Sequence, residues 1–250
     1  MHRSCRHEAF DEGVRRGLTL LELLVVISIV SLLVGLFIPA IARVRGQSRA
    51  TASAANARSL TQVIHAYADA NRDYLPAFTE GESYPAMNRD VRVTMPYFQV
   101  ANMWTGVVFD LLPYNQHLGV FLSPGSPRRN NYDIAWPTSY HYSVSFVADW
   151  RTWTPNGTAD PRYLTHQKLS STSFPSQKAM LWDLEASFLR TPGRLQTGDL
   201  LDSTPVAMAD VSVSMRRPSD ASEPITNPFF PPGAQMRLHN TENGLRGIDY

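Results

Sequence analysis

The chain has 250 residues, enough for one sizeable domain and an anchor or for two small domains. Only 18% of them are charged and the formal net charge is +1, so no basic face for nucleic acid is indicated. The single cysteine, Cys5, stands so near the start that a chain trimmed of its first residues has no thiol, which excludes disulfides and a cysteine nucleophile.

In chain order, the first feature is a short basic stretch. Arg3, Arg6, Arg15 and Arg16 outnumber Glu8, Asp11 and Glu12 ahead of Gly17, and without this stretch the formal side-chain charges balance. Then follows Gly17-Leu18-Thr19-Leu20-Leu21-Glu22 and a long apolar run. From Leu18 to Ala42 the only polar side chains are Thr19, Glu22, Ser28 and Ser31. About 20 residues at a 1.5 Å rise cross a ~30 Å hydrocarbon core, so the run is long enough to span a bilayer. A carboxylate left unpaired in hydrocarbon costs roughly 3 kcal/mol or more, so Glu22 requires a partner or a purpose. Pro39 removes one helical donor and predicts a kink, with Gly35 four residues earlier relieving the crowding there.

Arg15 to Glu22 and the run behind it resemble the N-terminal signal of type IV prepilins and type II secretion pseudopilins. The resemblance implies cleavage after Gly17, methylation of the new N-terminus at Leu18, and Glu22 as fifth residue of the mature chain. The usual first mature residue of that family is phenylalanine, where this chain has leucine. A prepilin peptidase/N-methyltransferase, other pilin or pseudopilin subunits, an inner-membrane assembly platform and the lipid bilayer are the implied partners. The implied location is the bacterial inner membrane, single-pass, with the N-terminus cytoplasmic and the remainder periplasmic, or extracellular once assembled. In a stack of parallel helices, the freed amine of an incoming subunit can neutralise a neighbour's Glu22, which favours one axial register. The apolar run also fits an ordinary secretory signal, whose small-residue site at Ala52-Ser53-Ala54 lies beyond Arg43, Arg45 and Arg49. It fits an unprocessed single-pass anchor as well.

The helix is expected to continue past the apolar run. Ala54, Ala57, Leu60, Ile64 and Tyr67 recur at three- and four-residue steps, and no Gly or Pro interrupts from Gln47 to Tyr74. The stop is predicted at Asn71 to Pro76, which makes a helix of about fifty residues against a usual ~12. The implied division is a cleaved leader (1–17), a membrane segment (18–42), an amphipathic continuation (43–75) and a β-rich head (76–250).

In the head, Trp104–Leu112 reads as a mixed strand or short helix. Tyr140–Val147, Lys178–Asp183 and Val206–Arg216 read as three strands. The predicted fold is therefore α+β and pilin-like: a long N-terminal helix against a small, mostly antiparallel sheet with large loops. A second resemblance involves Phe121-Leu122-Ser123-Pro124-Gly125-Ser126-Pro127, Ser139-Tyr140, Val206–Arg216 and Asn243–Tyr250. These are similar in order to segments of pilin-like proteins of planctomycete-type bacteria, whose Cys-Pro-Ser-Asp-Pro loop has a cysteine where this chain has Ser123.

No nucleophile elbow, phosphate loop or His-Glu-x-x-His pair is present, so the chain is not read as an enzyme. His65, His117, His141, His166 and His239 lack partners at ligand spacing and read as structural. Major type II pseudopilins hold calcium in a loop near the C-terminus. Asp202, Asp210, Asp220 and Glu223 are the candidate ligands that this resemblance suggests, with no cofactor otherwise expected. Trp104, Trp136, Trp150, Trp153 and Trp182 either fill a disulfide-free core or, around Trp150-Arg151-Thr152-Trp153, form a recognition platform. The function expected is that of a structural filament subunit or, alternatively, of a membrane-anchored recognition protein with an aromatic-rich head.

Overall fold

A computed structural model describes residues 19–79, 82–85, 92–94, 99–114, 116–127, 138–194, 200–229 and 236–250. The chain divides into two compact units, one ending at Arg45 and a larger one, the head, spanning Gly46–Tyr250. Its layout is α+β: one long helix near the N-terminus and a four-stranded antiparallel sheet.

Helix α1 spans Leu20–Ala70, 51 residues, with Pro39 inside it. It ends where the sequence predicts. Arg72 and Asp73 turn left-handed (φ 56° and 72°), and the Asp73 N–H reaches back to the Ala68 carbonyl at 2.8 Å. These bonds occupy carbonyls that the last turn of a helix leaves open. The end is then fastened to a distant loop, with the Leu75 N–H on the Gln167 carbonyl and the Leu169 N–H on the Asp73 carbonyl. Within the head, α1 buries Ser53, Ala57, Leu60, Thr61, Ile64 and Ala68. Ala57, Leu60 and Ile64 match the apolar stripe read from the sequence, whereas Ala54 and Tyr67 are only half-buried. Thr61 enters the buried face because its hydroxyl is satisfied inside the helix, on the Ala57 carbonyl at 2.9 Å.

A short hairpin pairs β1 (Ser83–Pro85) with β2 (Arg92–Thr94), and two single-turn helices follow, α2 (Val100–Met103) and α3 (Leu118–Phe121). Trp104–Leu112, expected as strand or helix, becomes a 3-10 turn at Trp104–Gly106 followed by further turns. The main sheet has the order β3 (Tyr140–Tyr142), β4 (Ala179–Asp183), β5 (Thr204–Met208), β6 (Val213–Arg216), each strand antiparallel to its neighbour. One extra residue on β4 between Ala179 and Leu181 makes a bulge opposite β5.

Two strand expectations are corrected. The alternation through Tyr140–Val147 stops as a strand at Tyr142, because Ser143 caps a 3-10 turn at Val144–Phe146 by accepting the Ser145 N–H. Val206–Arg216 is a hairpin rather than one strand. Asp210 Oδ1 accepts the Ser212 N–H at 2.9 Å and its hydroxyl at 2.5 Å, Val211 sits at φ 70°, and the Met208 N–H closes onto the Ser212 carbonyl. An aspartate folding its own backbone over is a turn signal that outweighs period-two alternation.

Every residue of β4 and β5 is buried, so both faces of these two central strands are covered. Tyr140, Tyr142, Leu181 and Ala207 join Ala57, Leu60 and Ile64 of α1 in the larger core. On the opposite face Trp182, Val206 and Met208 pack with Ala221, Leu238 and Tyr250 in a smaller core. Gly244 sits at φ +56°, and a Cβ there would lie 2.3 Å from Trp153 Cδ1, with Trp153 itself fully buried. We therefore expect Gly244→Ala to destabilise the head by roughly 2–5 kcal/mol, combining left-handed strain with overpacking. A urea midpoint followed by tryptophan fluorescence tests this, and an unchanged midpoint would show that the turn relaxes freely.

Candidate functional site

The unit ending at Arg45 presents the apolar surface of α1. Every Leu, Val, Ile and Phe from Leu20 to Ile41 is exposed, between 46% and 83%. The helix is long and apolar enough to cross a membrane. Its few polar groups are dealt with internally, as hydrocarbon requires. Ser28 Oγ donates to the Leu24 carbonyl at 2.8 Å and Ser31 Oγ to the Ile27 carbonyl at 2.7 Å.

Glu22 lies in the first turn. Its Oε2 accepts the Thr19 N–H at 2.8 Å and the Thr19 hydroxyl at 2.9 Å, while the Glu22 N–H approaches Thr19 Oγ1 at 3.2 Å. This is a capping box, in which each side chain occupies backbone donors that the helix start leaves open. Its sequence signal is Thr19-Leu20-Leu21-Glu22, a threonine three residues ahead of a glutamate. Glu22 thus has a local partner within a single chain. Gly17 and Leu18 lie outside the described residues.

The four calcium candidates are each engaged separately. Asp202 Oδ2 accepts the Gly193 N–H, Asp210 closes the β5–β6 turn, Glu223 pairs with Arg237, and Asp220 sits in a 3-10 turn beside Arg217. No group of three or more His, Cys, Asp or Glu placed to hold a metal occurs among the described residues. The expected set is therefore not assembled, because sequence proximity of loop acids does not converge their oxygens.

Four of the histidines make contacts within the head. His65 Nε2 lies 2.9 Å from the Ala209 carbonyl, which ties α1 to the β5–β6 turn. His166, half-buried, lies 3.3 Å from Thr79 Oγ1, and burial holds its pKa below the ordinary value. His141 and His239 pack against Trp182 on the smaller-core face in tilted and edge-to-face geometry, with ring centroids 4.5 Å apart for Trp182 and His239. Burial, then His141 and Lys178, push the His239 pKa well down. Among the tryptophans, Trp104, Trp153 and Trp182 are core side chains. Half-buried Trp150 has the guanidinium groups of Arg151 and Arg246 5.4 and 5.2 Å from its ring. Trp136 lies outside the described residues. The Trp150–Trp153 stretch thus contributes one partly open ring rather than a platform.

A polar junction joins α1 to the sheet. Asp183, at the end of β4, accepts the Ser53 and Ser123 hydroxyls on Oδ2, both at 2.6 Å, and the Ala186 N–H on Oδ1 at 2.8 Å. Tyr140 OH lies 3.0 Å from Ser53 Oγ, and Ser123 Oγ accepts the Ser187 N–H at 3.0 Å. Burial raises the pKa of both Asp183 and Tyr140. Ser53 and Ser123, unremarkable in sequence, thereby connect the helix, the loop before β3 and the end of β4. Comparison of the chain with family models, curated proteins and solved structures finds no match.

Proposed function

We propose that this chain is a prepilin-like structural subunit. It is processed after Gly17, held in the inner membrane by α1, and polymerised through that helix into a type II secretion pseudopilus or a type IV pilus-like filament. In this reading it is not an enzyme but the substrate of a prepilin peptidase that also methylates Leu18. The α+β head, with its sheet on the second half of α1, is the pilin-like part.

The observation that carries the reading is the exposed apolar surface of α1 with one carboxylate at its start. A helix apolar on all sides needs lipid or sister helices around it. The first serves storage and the second assembly. The capping box refines the role of Glu22. In the membrane, Thr19 supports the carboxylate, and docking brings it the amine of an incoming subunit.

Mass spectrometry of the N-terminus from cells tests processing. The expected result is a chain beginning at methylated Leu18, and an intact Met1 or a start near Ala54 overturns the reading. Glu22→Ala and Glu22→Gln then separate cap from charge. Glutamine serves a capping box as well as glutamate does, so the helix start survives in Glu22→Gln while the charge is lost. Loss of a charge-assisted contact worth ~1.5–3 kcal/mol predicts a filament yield down about tenfold or more in both variants, with insertion and cleavage intact. Normal filaments from Glu22→Gln would reduce Glu22 to a cap.

A further inference from the structure

Lys178, just before β4, is fully buried, and Asp249 is 2% exposed. Lys178 Nζ lies 3.0 Å from Asp249 Oδ2. The pairs Arg151–Asp149, Arg162–Asp160 and Arg237–Glu223 each use arginine and each have an exposed member, so the lysine pair differs from them in chemistry and in dryness. A third group touches both partners. Thr241 Oγ1 accepts from Lys178 Nζ at 2.5 Å and donates to Asp249 Oδ1 at 2.5 Å. A fourth holds the remaining oxygen, since the Ala179 N–H donates to Asp249 Oδ2 at 2.8 Å. The Phe146 ring stands 5.7 Å from Nζ and contributes an apolar wall.

We propose that Lys178 and Asp249 condense to an intramolecular isopeptide bond, with Thr241 as proton relay and the Ala179 N–H as oxyanion donor. The two carboxylate oxygens already have distinct surroundings that suit this. Nζ attacks Asp249 Cγ and forms the C–N bond. The charge that develops on Oδ2 falls on the Ala179 N–H, as in an acyl-transfer oxyanion site. Two of the three ammonium protons pass through the Thr241 hydroxyl to Oδ1, the Cγ–Oδ1 bond breaks, and one water leaves. Ammonium plus carboxylate becomes a neutral secondary amide plus water, and no oxidant or co-reactant is needed. Burial favours the step twice: it disfavours the charged form of Lys178, which promotes the reactive amine, and it removes bulk water that would reverse the condensation. The buried lysine's lowered pKa accords with this. The bond would fasten the segment around Asp249 to β4, at the edge of the smaller core, and does not depend on whether the chain forms filaments.

The test is peptide mapping of the full chain, extracted in detergent and denatured before trypsin digestion. The expected product is a branched peptide in which trypsin fails to cut after Lys178 and the peptide beginning at Gly247 is attached there. Its mass is one water below the sum of its parts. Cleavage after Lys178 together with a linear peptide from Gly247 shows an uncondensed ion pair and overturns the proposal. Thr241→Val, which keeps shape but removes the relay, is expected to yield linear peptides from a head with native tryptophan fluorescence. A branch surviving in that variant overturns the relay. The wild-type map decides the bond even if the variant does not fold.

Discussion

Asp249→Ala is expected to lower the unfolding free energy of the head by about 3–5 kcal/mol beyond the loss of the Lys178–Asp249 bond itself, the range for leaving one member of a buried ion pair without the other. Three groups lose their acceptor at once: Lys178 Nζ, the Thr241 hydroxyl and the Ala179 N–H. Lys178 keeps only Thr241 and must either hold a buried charge or give up its proton. The reciprocal change is milder. In Lys178→Met the apolar stem is largely preserved, and Asp249 retains the Thr241 hydroxyl and the Ala179 N–H as donors. With the loss of the bond common to both variants, a further loss of about 1–3 kcal/mol is expected there, the cost of one imperfectly satisfied buried group. Urea midpoints of the two variants in the same detergent check the ordering. Equal losses, or a larger one for Lys178→Met, would mean that the carboxylate's backbone and threonine bonds carry little.

The parts of this fold that follow from apolar periodicity were legible in the sequence. α1 appears with its stop at Asn71–Pro76, and β4 lies within the predicted Lys178–Asp183 run. What remained hidden is the work of side chains on backbone. Ser143 and Asp210 each end a strand by accepting an N–H two residues on, so alternation alone overextends β3 and fuses β5 with β6. Thr19 is a different case: a carboxylate at the start of an apolar run has its nearest donors three residues away in its own chain, before any other molecule supplies one. Ser53 and Ser123 meet Asp183 across 130 and 60 residues of chain, and Lys178 meets Asp249 across a comparable distance. No local pattern forecasts such meetings. The buried polar side of α1 is the clearest case, since Ser53 stands outside the apolar stripe read from the sequence but anchors that face in the structure.

The second large effect is expected at the Asp183 junction. Asp183→Ala strands the Ser53 and Ser123 hydroxyls and the Ala186 N–H, and it releases Ala186 from a left-handed turn at φ 49°. Unmade bonds of buried donors, partly rescued by Tyr140 and by local relaxation, give an expected loss of about 2–4 kcal/mol. Asp183→Asn keeps the shape and one acceptor and should cost about 1 kcal/mol near pH 4. Its deficit is then expected to shrink as pH rises. Burial raises the folded pKa of Asp183 above its ordinary 3.8, against the opposing pull of Ser123, Ser53 and Ala186. The folded state therefore holds this proton more tightly than the unfolded chain, and stability from the group falls as pH climbs from about 4 through the folded value. Asparagine has no such loss. His239 contributes with the opposite sign, because its depressed pKa lowers stability as pH drops below 6.5. That contribution is common to both proteins and cancels in their difference. Urea titrations of wild type and Asp183→Asn at matched pH values measure that difference directly. A gap constant with pH would show that the donors around Asp183 fully offset its burial, and that the carboxylate stays charged at the junction of α1 and β4.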